Sequence, residues 1–163
     1  MASAKPRRSF FAAALAWVAS VAGAQHERDS DGTLQRLDDR RVLSAQMVRE
    51  RTPLLILFST PGCPYCREVR RNYLQPRLRE RPATVLIREV DVTSVRRLID
   101  RNGRSVSEAE FAQRHSVKVV PHVLLFNASG TALTEPLIGI DSAGFYEARL
   151  VGRIDEARRA LAR

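Results

Sequence analysis

Short apolar runs separated by polar, periodic stretches set the frame of this chain. Residues 54–58 (Leu-Leu-Ile-Leu-Phe) are unbroken apolar, the pattern of a strand buried on both faces. Residues 84–92 (Thr-Val-Leu-Ile-Arg-Glu-Val-Asp-Val) are β-branched and apolar enough for a second interior strand. Residues 117–126 predict a third, although Pro121 is out of place in a central ladder. Pro121 fits if it opens the strand after a bend, in the cis form that tight turns demand. Asn127-Ala128-Ser129-Gly130 predicts a hairpin turn into a last strand over about 131–138.

Helical spacing falls between these runs. Leu34, Leu37, Val42, Leu43, Met47 and Val48 predict an amphipathic helix to about Arg51, ended by Thr52-Pro53. Val69, Tyr73 and Leu74 predict another after residue 63, kinked or broken at Pro76. Residues 93–106 read as a polar insertion loop with a short helix around 95–99. Ser107, followed by Glu108 and Glu110, reads as an N-cap and acidic first turn opening a helix through Arg114. Residues 142–161 predict a closing helix, with Phe145, Leu150, Ile154, Ala157 and Leu161 as its buried stripe.

The candidate chemistry lies where the first apolar run hands over to a helix. Thr60-Pro61-Gly62-Cys63-Pro64-Tyr65-Cys66-Arg67 supplies a turn and then a proline suited to a helix's first turn. Cys63 is thereby expected at a helix N-terminus, where unpaired backbone N–H groups favour a thiolate, the nucleophile of disulfide exchange. Cys66, one turn deeper, is placed to attack a mixed disulfide formed on Cys63 and release the partner. The pair closes too small a loop to be a useful staple. A four-ligand zinc site would need two more ligands, and the 163 residues contain no other cysteine and only His26, His115 and His122. The redox reading therefore leads, with no cofactor and no metal expected.

Charge and address narrow the setting. Lys5, Arg7 and Arg8 precede an apolar stretch from Phe10 to Val21, and Ala22-Gly23-Ala24 offers a small-x-small cleavage site. This is the pattern of a secretory signal peptide over residues 1–24, cut after Ala24, with a loose leader over 25–33 and one domain over 34–163. Removing residues 1–24 leaves 139 residues; three basic groups and no acidic one go with them, taking the net charge from +9 to +6. The remaining basic residues are spread among acids, with no basic block alternating with aromatics, so nucleic acid is not the expected partner.

The element order, with the quoted cysteine segment, Val119-Val120-Pro121-His122, the turn at 127–130 and Ile138-Gly139, resembles the thioredoxin fold from about Leu34 to Ala162. The resemblance implies an α/β fold, with a central mixed sheet of about four strands flanked by helices. The insertion around Gly103 looks most like exported bacterial thioredoxin-related thiol–disulfide oxidoreductases. By that resemblance Cys63 attacks, Cys66 resolves, and Pro121 is a cis-proline beside them. Val120 and Pro121 then bind an extended client chain by backbone pairing, with Tyr65 as a contact surface. The implied partners are protein disulfide or dithiol clients and a membrane electron donor of the thiol-transporter type; the implied compartment is the periplasm. Because Pro64-Tyr65 places no charge between the cysteines, a reductant or isomerase-like exchanger is favoured over an oxidant, with reduction leading and a dithiol oxidase or isomerase as the alternative. His122 and Arg67 are candidate modulators of the Cys63 pKa, His122 also reading as a neutral core histidine with a backbone partner. The alternatives outside exchange chemistry are copper binding by Cys63, Cys66 and His122, and a non-catalytic chaperone.

The chain departs from the cytosolic thioredoxin pattern at three places. Gly62 stands where a tryptophan precedes the first cysteine, Pro64-Tyr65 replace Gly-Pro, and Leu57 occupies the position of a buried aspartate. The Cys-Pro-Tyr-Cys tetrapeptide is shared with glutaredoxins, but their glutathione-binding Gly-Gly pair is missing.

Overall fold

The computed structural model describes Met1, residues 33–141 and residues 143–163. Apart from Met1, the expected signal peptide lies outside the described residues, as does the leader apart from Thr33.

A four-stranded mixed sheet organises the domain. Its strands are β1 (Leu54–Ser59), β2 (Leu86–Asp91), β5 (His122–Phe126) and β6 (Leu137–Ile138), in the spatial order β2-β1-β5-β6. β1 runs parallel to β2 and antiparallel to β5, and β5 is antiparallel to β6. Every residue of β1 is buried, as its unbroken apolar sequence requires of a strand covered on both faces.

Alternation along the strands divides the core. Leu55, Leu57, Ile87, Val123 and Leu125 pack on one face against Val69, Leu74, Leu150, Ile154 and Ala157. These come from the segment after the cysteines and from α4 (Tyr146–Leu161). Leu54, Ile56, Phe58, Leu124 and Phe126 face the other way, onto Leu43 and Met47 of α1 (Arg40–Glu50) and Phe111 of α3 (Glu108–Arg114).

Several elements differ from the expectations above. Leu34 and Leu37 are buried, but as part of an extended segment alongside β2 and not on a helix. The Leu37 N–H donates to the Glu89 carbonyl (3.0 Å), and the Glu89 N–H donates to that of Gln35 (2.9 Å). α1 begins only after Asp39, whose carboxylate caps it by accepting from the Arg41 N–H. Its inner face carries Leu43, Met47 and the arginine Arg40, while Val42 and Val48 are exposed. The short helix expected around 95–99 is instead a hairpin of β3 (Arg97–Ile99) and β4 (Ser105–Ser107), which directs Leu98 and Val106 inward. The last strand is only two residues long: Pro136, with no N–H to give a ladder, stands directly before it. On the closing helix Tyr146 is buried in place of Phe145, which is exposed, and Leu161 is only half-buried.

Other local signals hold as expected. Ser107 caps α3 by accepting from the Glu110 N–H at 3.0 Å. Glu108 in its first turn is fully buried and held by Arg36 (Nε, 3.0 Å) and Arg96 (Nη1, 3.2 Å). The helix after Cys63 changes character before Pro76. α2 (Pro64–Glu68) passes into a π-helical turn (Val69–Leu74) and then a 3-10 turn (Pro76–Arg79). The wide turn matches a five-residue separation of two buried side chains, Val69 and Leu74. Proline supplies no N–H to resume the narrower ladder.

Candidate active site

Cys63 and Cys66 are joined in a disulfide, with Cα atoms 5.3 Å apart. The local sequence explains the placement. β1 ends at Ser59, Gly62 takes a positive φ of 77° to turn the chain, and Pro64 occupies the first turn of α2. Cys63 is therefore the N-cap residue of α2. Its Sγ accepts from the Cys66 N–H (3.1 Å), and its carbonyl accepts from the Arg67 N–H (3.1 Å). Cys63 is half-buried and Cys66 fully buried, so one sulfur is reachable and the other is withdrawn. On reduction, the N–H that now meets Cys63 Sγ would meet a thiolate, a stronger, charge-assisted bond.

Tyr65 is exposed between the cysteines. Arg67, on the next turn, is exposed and makes no side-chain hydrogen bond or ion pair among the described residues. It lines a cleft of about 550 Å³ with Cys63, Ser59, Arg70, Glu89 and Asp91. The peptide bond between Val120 and Pro121 is cis. His122, the next residue, pairs with Phe58 near the end of β1, so Pro121 lies at the end of the sheet from which the Cys63 loop departs. Among the described residues the Val120 backbone makes no hydrogen bond, leaving a donor and an acceptor open to an extended chain. Val119 and Ile138 are exposed at this same end, Ile138 lying opposite His122. With Tyr65 they give the site an apolar rim. Both lie in segments quoted from the sequence, but neither was given a site role there, although Val119 stands two residues before Pro121.

His122 is buried with its ring edge-on to Phe58 (centroids 6.0 Å apart). Burial pushes its pKa below the ordinary histidine value, which favours the neutral ring over an imidazolium. Among the described residues the backbone partner expected for it is not found: Nε2 is buried without a hydrogen bond. Among the described residues no three His, Cys, Asp or Glu side chains converge as ligands for a metal ion.

Glu89 went unnoticed in the sequence. It is only 5% exposed on β2 and stands in register with Leu57. The carboxylate accepts from the Ser59 hydroxyl and from Arg70, whose Nε reaches both oxygens at 3.2 Å. Position 57 holds a leucine; the buried acid of this region stands one strand over, in register with it and already paired with a cation. In a strand pattern, Glu89 reads as an outward polar residue; only the sheet order shows it facing the helix that carries the cysteines.

A disulfide-bonded Cys-x-x-Cys pair at a strand-to-helix junction, on a β2-β1-β5-β6 mixed sheet flanked by helices, defines a protein of the thioredoxin fold. The chain belongs to the thioredoxin-like domain family, which it matches over residues 44–144, more than half its length. Solved structures agree on the fold. Fasciola hepatica thioredoxin superposes with a TM-score of 0.53 at 18% identity, covering 76% of this chain and 99% of its own. A point mutant of the thioredoxin from Halobacterium salinarum gives 0.52 at 17%, covering 78% and 92%. The DsbH oxidoreductase gives 0.52 at 15%, covering 84% and 93%. No curated protein matches the sequence.

Proposed function

We propose that this protein is a thiol–disulfide oxidoreductase of the periplasm that exchanges disulfides with protein clients, acting as a reductant. The observation that carries the exchange chemistry is the Cys63–Cys66 disulfide at the α2 N-cap, with one sulfur half-exposed and the other buried behind it. Reduced Cys63 attacks a client disulfide, forming a mixed disulfide and expelling the client's second sulfur as a thiolate. Cys66 then attacks Cys63 Sγ, restoring the internal disulfide and releasing the client with both its sulfurs reduced. The free Val120 backbone and the rim of Tyr65, Val119 and Ile138 support binding of an extended client segment with little demand on its sequence.

The compartment rests on the signal-peptide pattern of residues 1–24, and the direction on the uncharged Pro64-Tyr65 between the cysteines. A reductant in an oxidising compartment needs electrons from outside it, hence a membrane thiol transporter as donor. Trapping tests the exchange reading. Cys66→Ser is expected to hold a mixed disulfide on Cys63 in cells and bring the client with it; no adduct, or slow alkylation of reduced Cys63 at neutral pH, sinks it. Equilibration with glutathione tests the direction: a potential near that of glutathione or below supports a reductant, and one as oxidising as about −120 mV reverses it.

A further inference from the structure

The end of the sheet remote from the cysteines holds a buried cation that has no carboxylate partner among the described residues. Arg40 is 2% exposed, in the first turn of α1. Its guanidinium donates to Ser44 Oγ (3.2 Å), Met47 Sδ (3.4 Å) and the Asn127 carbonyl (3.0 Å), and lies 5.7 Å from the centre of the Phe126 ring. All of these partners are neutral. Burial, with the charge of Arg101, pushes the Arg40 pKa down to about 10, which leaves it a cation at neutral pH. A buried charge balanced only by dipoles and a ring face is costly.

Arg40 borders a cavity of about 170 Å³, also lined by Arg101, Arg104, Arg114, His115 and Asp100. Asp100 is the single carboxylate in that lining, and it is fully engaged. It accepts from the Asn102 and Arg104 N–H groups (2.9 Å each) and from the Arg104 and Arg114 side chains (3.2 Å each). Arg114 also pairs with Glu110 outside the cavity. Burial and the Arg40 charge lower the His115 pKa, so that ring adds no counter-charge and little positive charge. Arg101 makes no hydrogen bond or ion pair among the described residues. Its stem lies across Gly130, where a Cβ would come within 2.7 Å of Arg101 Cδ. The bare glycine thus lets a second cation lie at the cavity wall.

We infer that this cavity is a binding site for a small free tetrahedral oxyanion of the sulfate or phosphate class, held by Arg40 and Arg101. The cations come from α1, the β3–β4 hairpin and α3, so they meet the cavity from several sides. That arrangement suits an anion with acceptors on every face better than a planar carboxylate. The cavity is small enough to favour the free ion over an esterified one. Phe126, on its wall, pairs with Leu54 at the start of β1, so the site stands roughly 17 Å of strand away from the cysteine end. It does not depend on the exchange chemistry.

Isothermal titration of the full chain with inorganic sulfate and inorganic phosphate, against chloride at matched ionic strength, tests the site. One saturable event is expected at low millimolar anion or below. Arg101→Ser should weaken it by about ten-fold or more, the loss of one charge-assisted contact, with disulfide exchange unchanged. Arg40→Met should abolish it; because Arg40 is buried and that variant can fail to fold, the exposed Arg101 carries the test. No saturable event, an equal response to chloride, or unaltered affinity in Arg101→Ser overturns the site. Tighter binding of O-phosphoserine than of free phosphate overturns the assignment to a free ion.

Discussion

The two ends of the central sheet treat a buried charge in opposite ways. Beneath the cysteines, Glu89 faces Arg70 and Ser59, and each charge has its partner within the fold. At the far end, among the described residues, Arg40 has only neutral acceptors and a second arginine for company. A compensated pair needs nothing from outside, whereas an uncompensated cation beside a cavity is stabilised by whatever anion enters. The same sheet therefore carries a closed electrostatic unit near its disulfide and an open one away from it.

The largest effect expected is chemical. Cys63→Ser should reduce disulfide exchange to background in an insulin-type turnover assay, while Cys66→Ser keeps the first attack and loses release. Next comes the closed unit. Glu89→Gln leaves the half-buried Arg70 charge without its partner, and the cost is expected to be about 2 kcal/mol, read from the urea unfolding midpoint. Glu89→Leu combined with Arg70→Met should recover much of that loss, since the cost lies in the unmatched charge. If the double variant is as unstable as the single ones, the pair is not the closed unit described here.

Smaller effects sharpen the picture. Ser107→Ala removes the N-cap of α3 and should cost about 1 kcal/mol by the same measurement. For pH, His122 and His115 both have pKa values lowered by burial, so the unfolded chain binds more protons than the folded one below the ordinary histidine value. Their contribution is present above about pH 6.5 and lost as pH falls toward the folded values. His122→Leu should flatten the stability profile across that window in thermal melts.

Much of this architecture was legible in residue order, and the gaps have physical causes. β1 and β2 showed as apolar runs, and Pro121 marked the start of β5 because its missing N–H bars it from the middle of a ladder. Cys63 at the head of α2 followed from Pro61-Gly62 and Pro64. Leu34 and Leu37 misled, because a separation of three suits a helix face while their burial came from pairing with a distant strand. The β3–β4 hairpin hid in a polar stretch, since only Leu98 and Val106 face inward and their pairing joins residues eight apart. Tyr146 and Phe145 are adjacent aromatics, and which one turns inward is set by where α4 begins. Glu89 and Arg40 could not be seen in advance: each is a charged residue whose burial depends on what the sheet brings over it.

The extended segment before α1 also closes one border of the sheet. β2 is an outer strand, and Gln35 and Leu37 occupy the backbone groups of Glu89 that would otherwise face solvent. Arg36, between them, is fastened to the buried Glu108, so this strip is pinned in place. The opposite border, β6, is two residues long. Neither margin offers a long template for sheet-to-sheet growth, so the domain is guarded at both borders against edge-to-edge aggregation.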